Sequence, residues 1–286
     1  MTRYATPRAL EAALGDRLKL TAKLTGRSLP ELRRQVARER LLARLFDPAS
    51  PTADRLIVKG GTGLLMRVPG TRYTRDVDLQ HQGDDVPEAI AEIRTALERP
   101  IDLFRFQLSG QPRPLIGHRG VQLAVEMYLG VKRWEQLPID LVVGLDAPIG
   151  RVDVLTVDPV AAIDDLAPPT GVRVYPISAQ TADKVCAMYA DYHGRPSTRY
   201  HDLIDLVVLA QHCDIPPEPT RIALQAEARR RALTLPAAMT VPGPGWPAGY
   251  AAAARTVQLQ GVAPTIGAAL AIVGQQLNPL LATIRR

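Results

Sequence analysis

The sequence predicts an α/β (α+β) protein, with N-terminal helices, a mixed β-sheet core and a mostly helical C-terminal lobe. Three observations predict it. The stretch Leu56–Leu79, LIVKGGTGLLMRVPGTRYTRDVDL, passes from an apolar run through a Gly-Gly-Thr turn and a short helix into a second strand. Between His81 and Val143, short apolar or alternating runs flank a single helical pattern. Beyond Tyr175 the apolar spacing is helical almost throughout, punctuated by Pro and Gly. The 286 residues suit two moderate domains, expected at 1–165 and 166–286.

Taken in order, Pro7–Gly26 reads as an amphipathic helix with Leu10, Leu14, Leu18 and Leu20 on one side and Gly26 as its stop. Ser28-Leu29-Pro30 opens a second helix to Phe46, with Pro just inside the cap. Its Arg33, Arg34, Arg38, Arg40 and Arg44 read either as a solvated basic face or as a phosphate-tracking ridge for RNA. Leu56-Ile57-Val58 is a buried strand, Gly63–Arg67 a short helix closed by Val68-Pro69-Gly70, and Asp76–Leu79 a strand. A helix near Val86–Arg99 follows, then strands near Leu103–Leu108 and Val121–Leu129. Gln111–Gly120, with His118 in it, is the loop between them. Leu137–Val143 is a short apolar strand interrupted by Asp140. Ser178 is the expected cap of the helix carrying Lys184, and Asp202 and Asp205 share a helix face. Pro216–Leu235 reads as a basic helix, Pro236–Gly249 as a connector pinned by Trp246, and Tyr250–Gly261 and Thr265–Ile284 as closing helices.

Composition narrows the class. At 46% hydrophobic the chain buries a good core, and its net charge of +6 leans toward an anionic partner such as nucleic acid or nucleotide. Two cysteines, Cys186 and Cys213, with no secretory signal, point to a reducing cytoplasm and no disulfide framework. No Cys/His spacing suits zinc, and His193, His201 and His212 read as surface or structural residues. No run is expected to be apolar and long enough for a membrane.

The chemistry lies in the central stretch. On a strand, Asp76 and Asp78 point the same way. Paired carboxylates repel unless a cation sits between them, and Mg²⁺ (or Mn²⁺) is such a hard, oxygen-seeking ion. A Gly-Gly-Thr turn at a helix start offers backbone N–H groups to a phosphate. A lone DxD or GGT is usually a strand end or a plain turn; joined in this order they are far more specific.

The stretch resembles the DNA polymerase β-like nucleotidyltransferases. Within them, KGGT followed by R-x-T-x-D-x-D-L is similar to the AbiEii toxins and their mycobacterial MenT relatives. The likeness is sharp over Leu56–Leu79, weaker over Leu137–Leu209 and faint elsewhere. Thr62 and Thr74 stand where some members have Ser, which keeps the hydroxyl. The resemblance implies Asp140 as the third metal-binding carboxylate beside Asp76 and Asp78, with Asp153 as rival. It also implies a helical lysine, Lys184, contacting the triphosphate, and an R-x-x-D-L-x-D-L block whose Asp205, and secondarily Asp202, shape the site. Lys59, Gly60, Gly61, Thr62, Arg67 and Thr74, with Asp202, complete the expected nucleotide-binding set, and the cleft between the two lobes is the expected active site.

The activity so implied is Mg²⁺-dependent transfer of a nucleotide from a nucleoside triphosphate to the 3′ end of tRNA, with a cognate antitoxin as partner, in the cytoplasm. Three alternatives stay open: a small-molecule or protein acceptor, a GTP-using phosphotransferase, and a non-catalytic nucleic-acid-binding scaffold. A phosphate on Thr74, two residues before Asp76, would repel a triphosphate and offers one route to inhibition.

Overall fold

The computed structural model describes residues 4–71, 74–117, 119–191, 194–257, 261 and 263–284. Arg72 and Tyr73 of the motif, and His118 and His193, lie outside them. The chain forms two compact units. The first comprises Met1–Thr62, Thr74–Asp146 and Asp153–Val174; the second comprises Gly63–Tyr73, Ala147–Val152 and Tyr175–Arg286.

The first unit begins with α1 (Pro7–Thr25) and α2 (Leu29–Leu45). Thr6 caps α1 by accepting from the Ala9 N–H, and Gly26, at φ +72°, closes it in the left-handed conformation glycine tolerates. Leu10, Leu14 and Leu18 are buried, but Leu20 is half exposed, contrary to expectation. At about 100° per residue it stands about 200° around the helix from Leu18.

The α2 arginines form neither a solvated face nor an RNA ridge. Arg38, Arg40 and Arg44 are buried. Arg44 grips Asp102 with both terminal nitrogens, at 3.2 and 2.7 Å, and donates to the Phe104 carbonyl. Arg40 donates to the Ala167 carbonyl, and Arg38 to the Thr74 carbonyl at 2.7 Å. Arg33 stacks 4.2 Å from the centre of the Trp134 ring, and Arg34 faces Glu135. A planar fork of donors is suited to tying a helix to several carbonyls at once, and here it is used for that.

Glu39 lies among these arginines, accepting from Val160 N–H and the Gln35 amide. Burial pushes its carboxyl up from the usual 4.5 to about 7; the Val160 hydrogen bond and Arg40 pull the other way. The protonated form is therefore the one the fold favours. Its contribution is complete below about pH 4.5 and is lost as pH rises through about 7. Glu39→Gln is expected to flatten that loss, so its melting temperature should gain on the parent between pH 5 and pH 8. Parallel pH profiles would count against this assignment.

A seven-stranded mixed sheet follows among the described residues, in the order β3-β4-β5-β2-β1-β7-β6. The strands are β1 (Leu56–Val58), β2 (Val77–His81), β3 (Phe104–Pro114), β4 (Gly120–Leu129), β5 (Lys132–Val142), β6 (Asp153–Leu155) and β7 (Val172–Val174). Only β2–β5 and β1–β7 are parallel. Two helices interrupt the strands, α3 (Gly60–Arg67) and α4 (Val86–Leu97). β3 and β5 run longer than expected. Pro112 and Pro114 do not end β3 because it is the sheet edge, where a missing N–H costs no ladder bond. Gly130, at φ +63°, turns β4 straight into β5. Val121, Leu123, Val125 and Met127 alternate inward on β4 and are buried; α2 packs on β5, and α4 packs on β3.

The second unit is helical: α5 (Ile177–Tyr189), α6 (Tyr200–His212), α7 (Pro217–Arg230), α8 (Trp246–Ala254) and α9 (Ile266–Ile284). Helix α6 is its axis, with Leu203 to Leu209 all buried. Trp246 is buried, donates to the Ser197 carbonyl at 2.7 Å and meets the Tyr200 ring edge-on. It opens α8, so the helix starts inside the expected connector. Ser178 is not a cap; it lies within the first turn of α5 and donates to the Ile149 carbonyl at 2.6 Å. On α7, Glu218 holds Arg221, and Glu227 holds Arg230 and the C-cap Arg231. His201 and His212 are exposed. The expectation about membrane-length segments is corrected at α9, whose 19 residues are long and apolar enough to cross a bilayer by length and composition. Its Ala269, Val273, Leu277 and Leu281 are buried in the unit's core.

Candidate active site

The site in the first unit grows out of the β1–α3 junction. β1 pairs antiparallel with β2, and the ladder ends where the Lys59 N–H donates to the Asp78 carbonyl at 2.8 Å. Gly60 then turns to φ +58°, and α3 starts at Gly60 itself rather than after the Gly-Gly-Thr turn. A Cβ on Gly60 would land on the Asp78 carboxylate, and one on Gly61 would come within 2.9 Å of Thr74 Oγ1. Gly60 thus lets the Asp78 side chain lie against the first turn of α3, where the helix dipole favours negative charge, and Gly61 leaves room for Thr74.

Thr62 is fully buried, and its hydroxyl donates to the Asp76 carbonyl at 3.0 Å. It holds the segment that bears Asp76 instead of facing outward. Thr74 is buried too, and Arg38 donates to its carbonyl. Asp76 stands in the bend just before β2.

Asp140 lies on β5 directly beside Asp78: the parallel register pairs the two residues, so their side chains share a face. Asp153 is on β6, at the far end of the sheet, separated from β2 by β1 and β7. Burial, and then the negative charge of Asp140, pushes the Asp76 carboxyl above its usual range, with Arg75 and Arg38 opposing. A half-buried carboxylate whose ionisation a neighbouring carboxylate opposes is what an intervening cation relieves. Among the described residues no three acidic, His or Cys side chains already enclose an ion position. A one-sided set of this kind fits a hard cation that completes its shell with water and substrate phosphate.

The sequence reading missed Gln122. It faces Asp140 across β4–β5, and its amide donates to Asp140 Oδ1 at 2.8 Å. Nothing marks it in sequence, since an outward Gln on an alternating strand is ordinary. Outer-shell partners of this kind typically contribute about 10–100-fold to affinity or activity. Gln122→Leu is expected to lower turnover about tenfold at unchanged melting temperature; full activity in a folded variant would remove its role. His81, also missed, is buried, accepts the Gly83 N–H at Nδ1 and donates from Nε2 to Glu92, fixing the end of β2.

The second unit carries the other predicted residues. Lys184 on α5 contacts Asp205 Oδ2 at 2.5 Å and Asp202 Oδ1 at 3.3 Å, both on α6, and all three are buried. Arg199 closes the chain of charges on Asp202 Oδ2 at 2.5 Å. The i,i+3 spacing expected of Asp202 and Asp205 is what aims both at one ammonium. Arg67, at the end of α3, donates to the Tyr175 carbonyl at 2.8 Å.

Comparison with known proteins gives the family. Residues 40–271 match the family model of the nucleotidyl transferase AbiEii toxin, type IV TA system. The fold is similar to MenT4, a nucleotidyltransferase toxin from Mycobacterium tuberculosis H37Rv. The TM-score is 0.56 at 18% identity, over 94% of this chain and 92% of that one. The structure of JHP933 from Helicobacter pylori matches at TM-score 0.42 and 16% identity, over 87% of this chain and 91% of that one. No curated protein matches the chain. With more than half of its length matched by the family model, the chain belongs to the AbiEii nucleotidyltransferase toxins of type IV toxin–antitoxin systems.

Proposed function

We propose that the protein transfers a nucleotide from a nucleoside triphosphate to the 3′ end of tRNA in a magnesium-dependent reaction, and that this blocks translation until a cognate antitoxin intervenes. The observation that carries the reading is the parallel register that sets Asp78 beside Asp140, with Gly60 leaving room for the Asp78 carboxylate. The family assignment supports nucleotidyl transfer; the tRNA acceptor, magnesium and a cytoplasmic setting are our proposal, as is a catalytic core in 1–165 with a helical lobe in 166–286.

Asp76, Asp78 and Asp140 would hold the metal. When bound, magnesium neutralises triphosphate charge and makes the α-phosphorus a better electrophile. The chain's own residues do the rest. The first-turn N–H groups of α3 at Gly61 and Thr62, with Lys59 and Arg67, bind phosphate oxygens. Lys184 adds a compact positive charge, oriented by Asp205 and Asp202. Asp140, steadied by Gln122, accepts the proton of the attacking 3′ hydroxyl. The hydroxyl oxygen bonds to the α-phosphorus, the bond to the bridging oxygen breaks, and pyrophosphate leaves.

The test is to incubate the purified protein with magnesium, total tRNA and each nucleoside triphosphate in turn, radiolabelled at the α-phosphate. Label on tRNA is the expected result and identifies the nucleotide. Label only on protein or on a small molecule would replace the acceptor. Loss of label together with release of nucleoside diphosphate would indicate phosphotransfer instead.

A further inference from the structure

The sheet face that bears Asp78 and Asp140 continues, open, across the polar side chains of two more strands, β4 and β3. Register partners project to the same side, so Asp78, Asp140, Gln122 and Arg113 form one row across β2, β5, β4 and β3. Six residues along β4, about 20 Å away at about 3.4 Å per residue, a second row consists of Arg133, Tyr128 and Arg105. The opposite face is the one buried under α2 and α4, whereas the residues of these rows are half-buried or exposed.

The second row sets a guanidinium over an aromatic ring. Arg105 is tied to the Gly130 carbonyl at 2.9 Å, and its guanidinium lies 5.8 Å from the centre of the Tyr128 ring. The neighbouring carboxylate on β4, Glu126, is already engaged. It accepts from the Tyr128 hydroxyl at 2.7 Å and from Arg133 at 3.0 Å. A recess of about 330 Å³ opens at the sheet edge, lined by Arg105, Gln107 and Tyr128 together with Arg99, Glu98 and the Arg44-bound Asp102. Guanidinium planes and aromatic rings on an open sheet are what unstacked bases use, and surplus arginines serve the phosphates between them. A protein partner would instead call for an apolar centre, which these outward residues lack.

We propose that the open face of β3–β5 binds the single-stranded 3′ end of the acceptor RNA. The terminal hydroxyl lies at the Asp78–Asp140 row, and the preceding nucleotides run past Arg113 toward Arg105 and Tyr128. The proposal rests on RNA being the acceptor. Only an unpaired strand fits, because its bases must leave a helical stack to reach Arg105 and Tyr128 while its end reaches the carboxylates.

The test combines direct binding with transfer. Fluorescence anisotropy of labelled tRNA is measured on proteins carrying Asp78→Asn, and transfer on proteins with Asp78 intact. Arg105→Ala with Tyr128→Ala is expected to weaken RNA binding about tenfold or more and to raise KM for RNA but not for the triphosphate. Tyr128→Phe, which keeps the ring, should bind as the parent does. Arg113→Gln should reduce the slope of log affinity against log salt by about one. All these side chains point away from the core, so melting temperatures should not move. If the double variant binds and labels tRNA like the parent, this path is wrong while the acceptor reading stands. If the parent labels no RNA, the acceptor reading fails and takes this proposal with it. Unchanged RNA affinity with lost binding of a co-expressed antitoxin would give the face to a protein partner and overturn the proposal.

Discussion

Asp78→Asn is expected to reduce nucleotidyl transfer by about 10³-fold or more while leaving the fold intact, the scale seen when a group stabilising transition-state charge is removed. The side chain keeps its shape, so the close approach over Gly60 survives, but its negative charge is gone. The melting temperature should change little, because the shape that packs over Gly60 is kept. Asp140→Asn should behave alike and should also lower the Asp76 pKa, since Asp140's charge is one cause of its elevation. Transfer measured with saturating triphosphate and tRNA, beside a thermal melt, checks the prediction. A folded Asp78→Asn protein with activity within a few-fold of the parent would move the chemistry elsewhere.

The second large effect is on stability. Asp205→Ala should destabilise the second unit by about 3–5 kcal/mol, because it strips a buried ammonium of its nearest partner. Asp202→Ala should cost less, since its contact with Lys184 is longer, at 3.3 Å. Replacing both partners with apolar residues of similar volume, Lys184→Met with Asp205→Leu, should recover much of the loss, because no charge is then left uncompensated. This double variant separates two roles. If Lys184 serves the triphosphate, the protein is stable and inactive; if the pair only holds α5 to α6, activity returns with stability. Urea unfolding and the labelled-transfer assay together decide it.

The local elements were legible where one short-range rule dominates. Leu56–Val58 is a strand because three consecutive apolar residues bounded by a glycine turn suit a strand buried on both faces, and it is buried throughout. α1 and α2 begin at Thr6 and Ser28, whose side chains cap them, with Pro in the first turn of each. The basic helix was misread because periodicity reports which residues share a face, and says nothing of what will be packed on it. Arg38, Arg40 and Arg44 found carbonyls and Asp102 in segments 36 to 127 residues away.

The candidate site divides the same way. By itself the sequence determined the local parts: glycines where a strand must turn into a helix, two acids two apart, and a helical Asp pair three apart. Only the tertiary structure decided their partners. It set Asp140 rather than Asp153 beside Asp78, because register between strands 62 residues apart depends on how the whole sheet pairs. It turned the Thr62 hydroxyl inward to the Asp76 carbonyl, and it recruited Gln122 to Asp140 across a hairpin. The physical reason is range. Turn and helix signals act through the backbone over a few residues, whereas a carboxylate's neighbours are set by long-range pairing that no single stretch of sequence encodes.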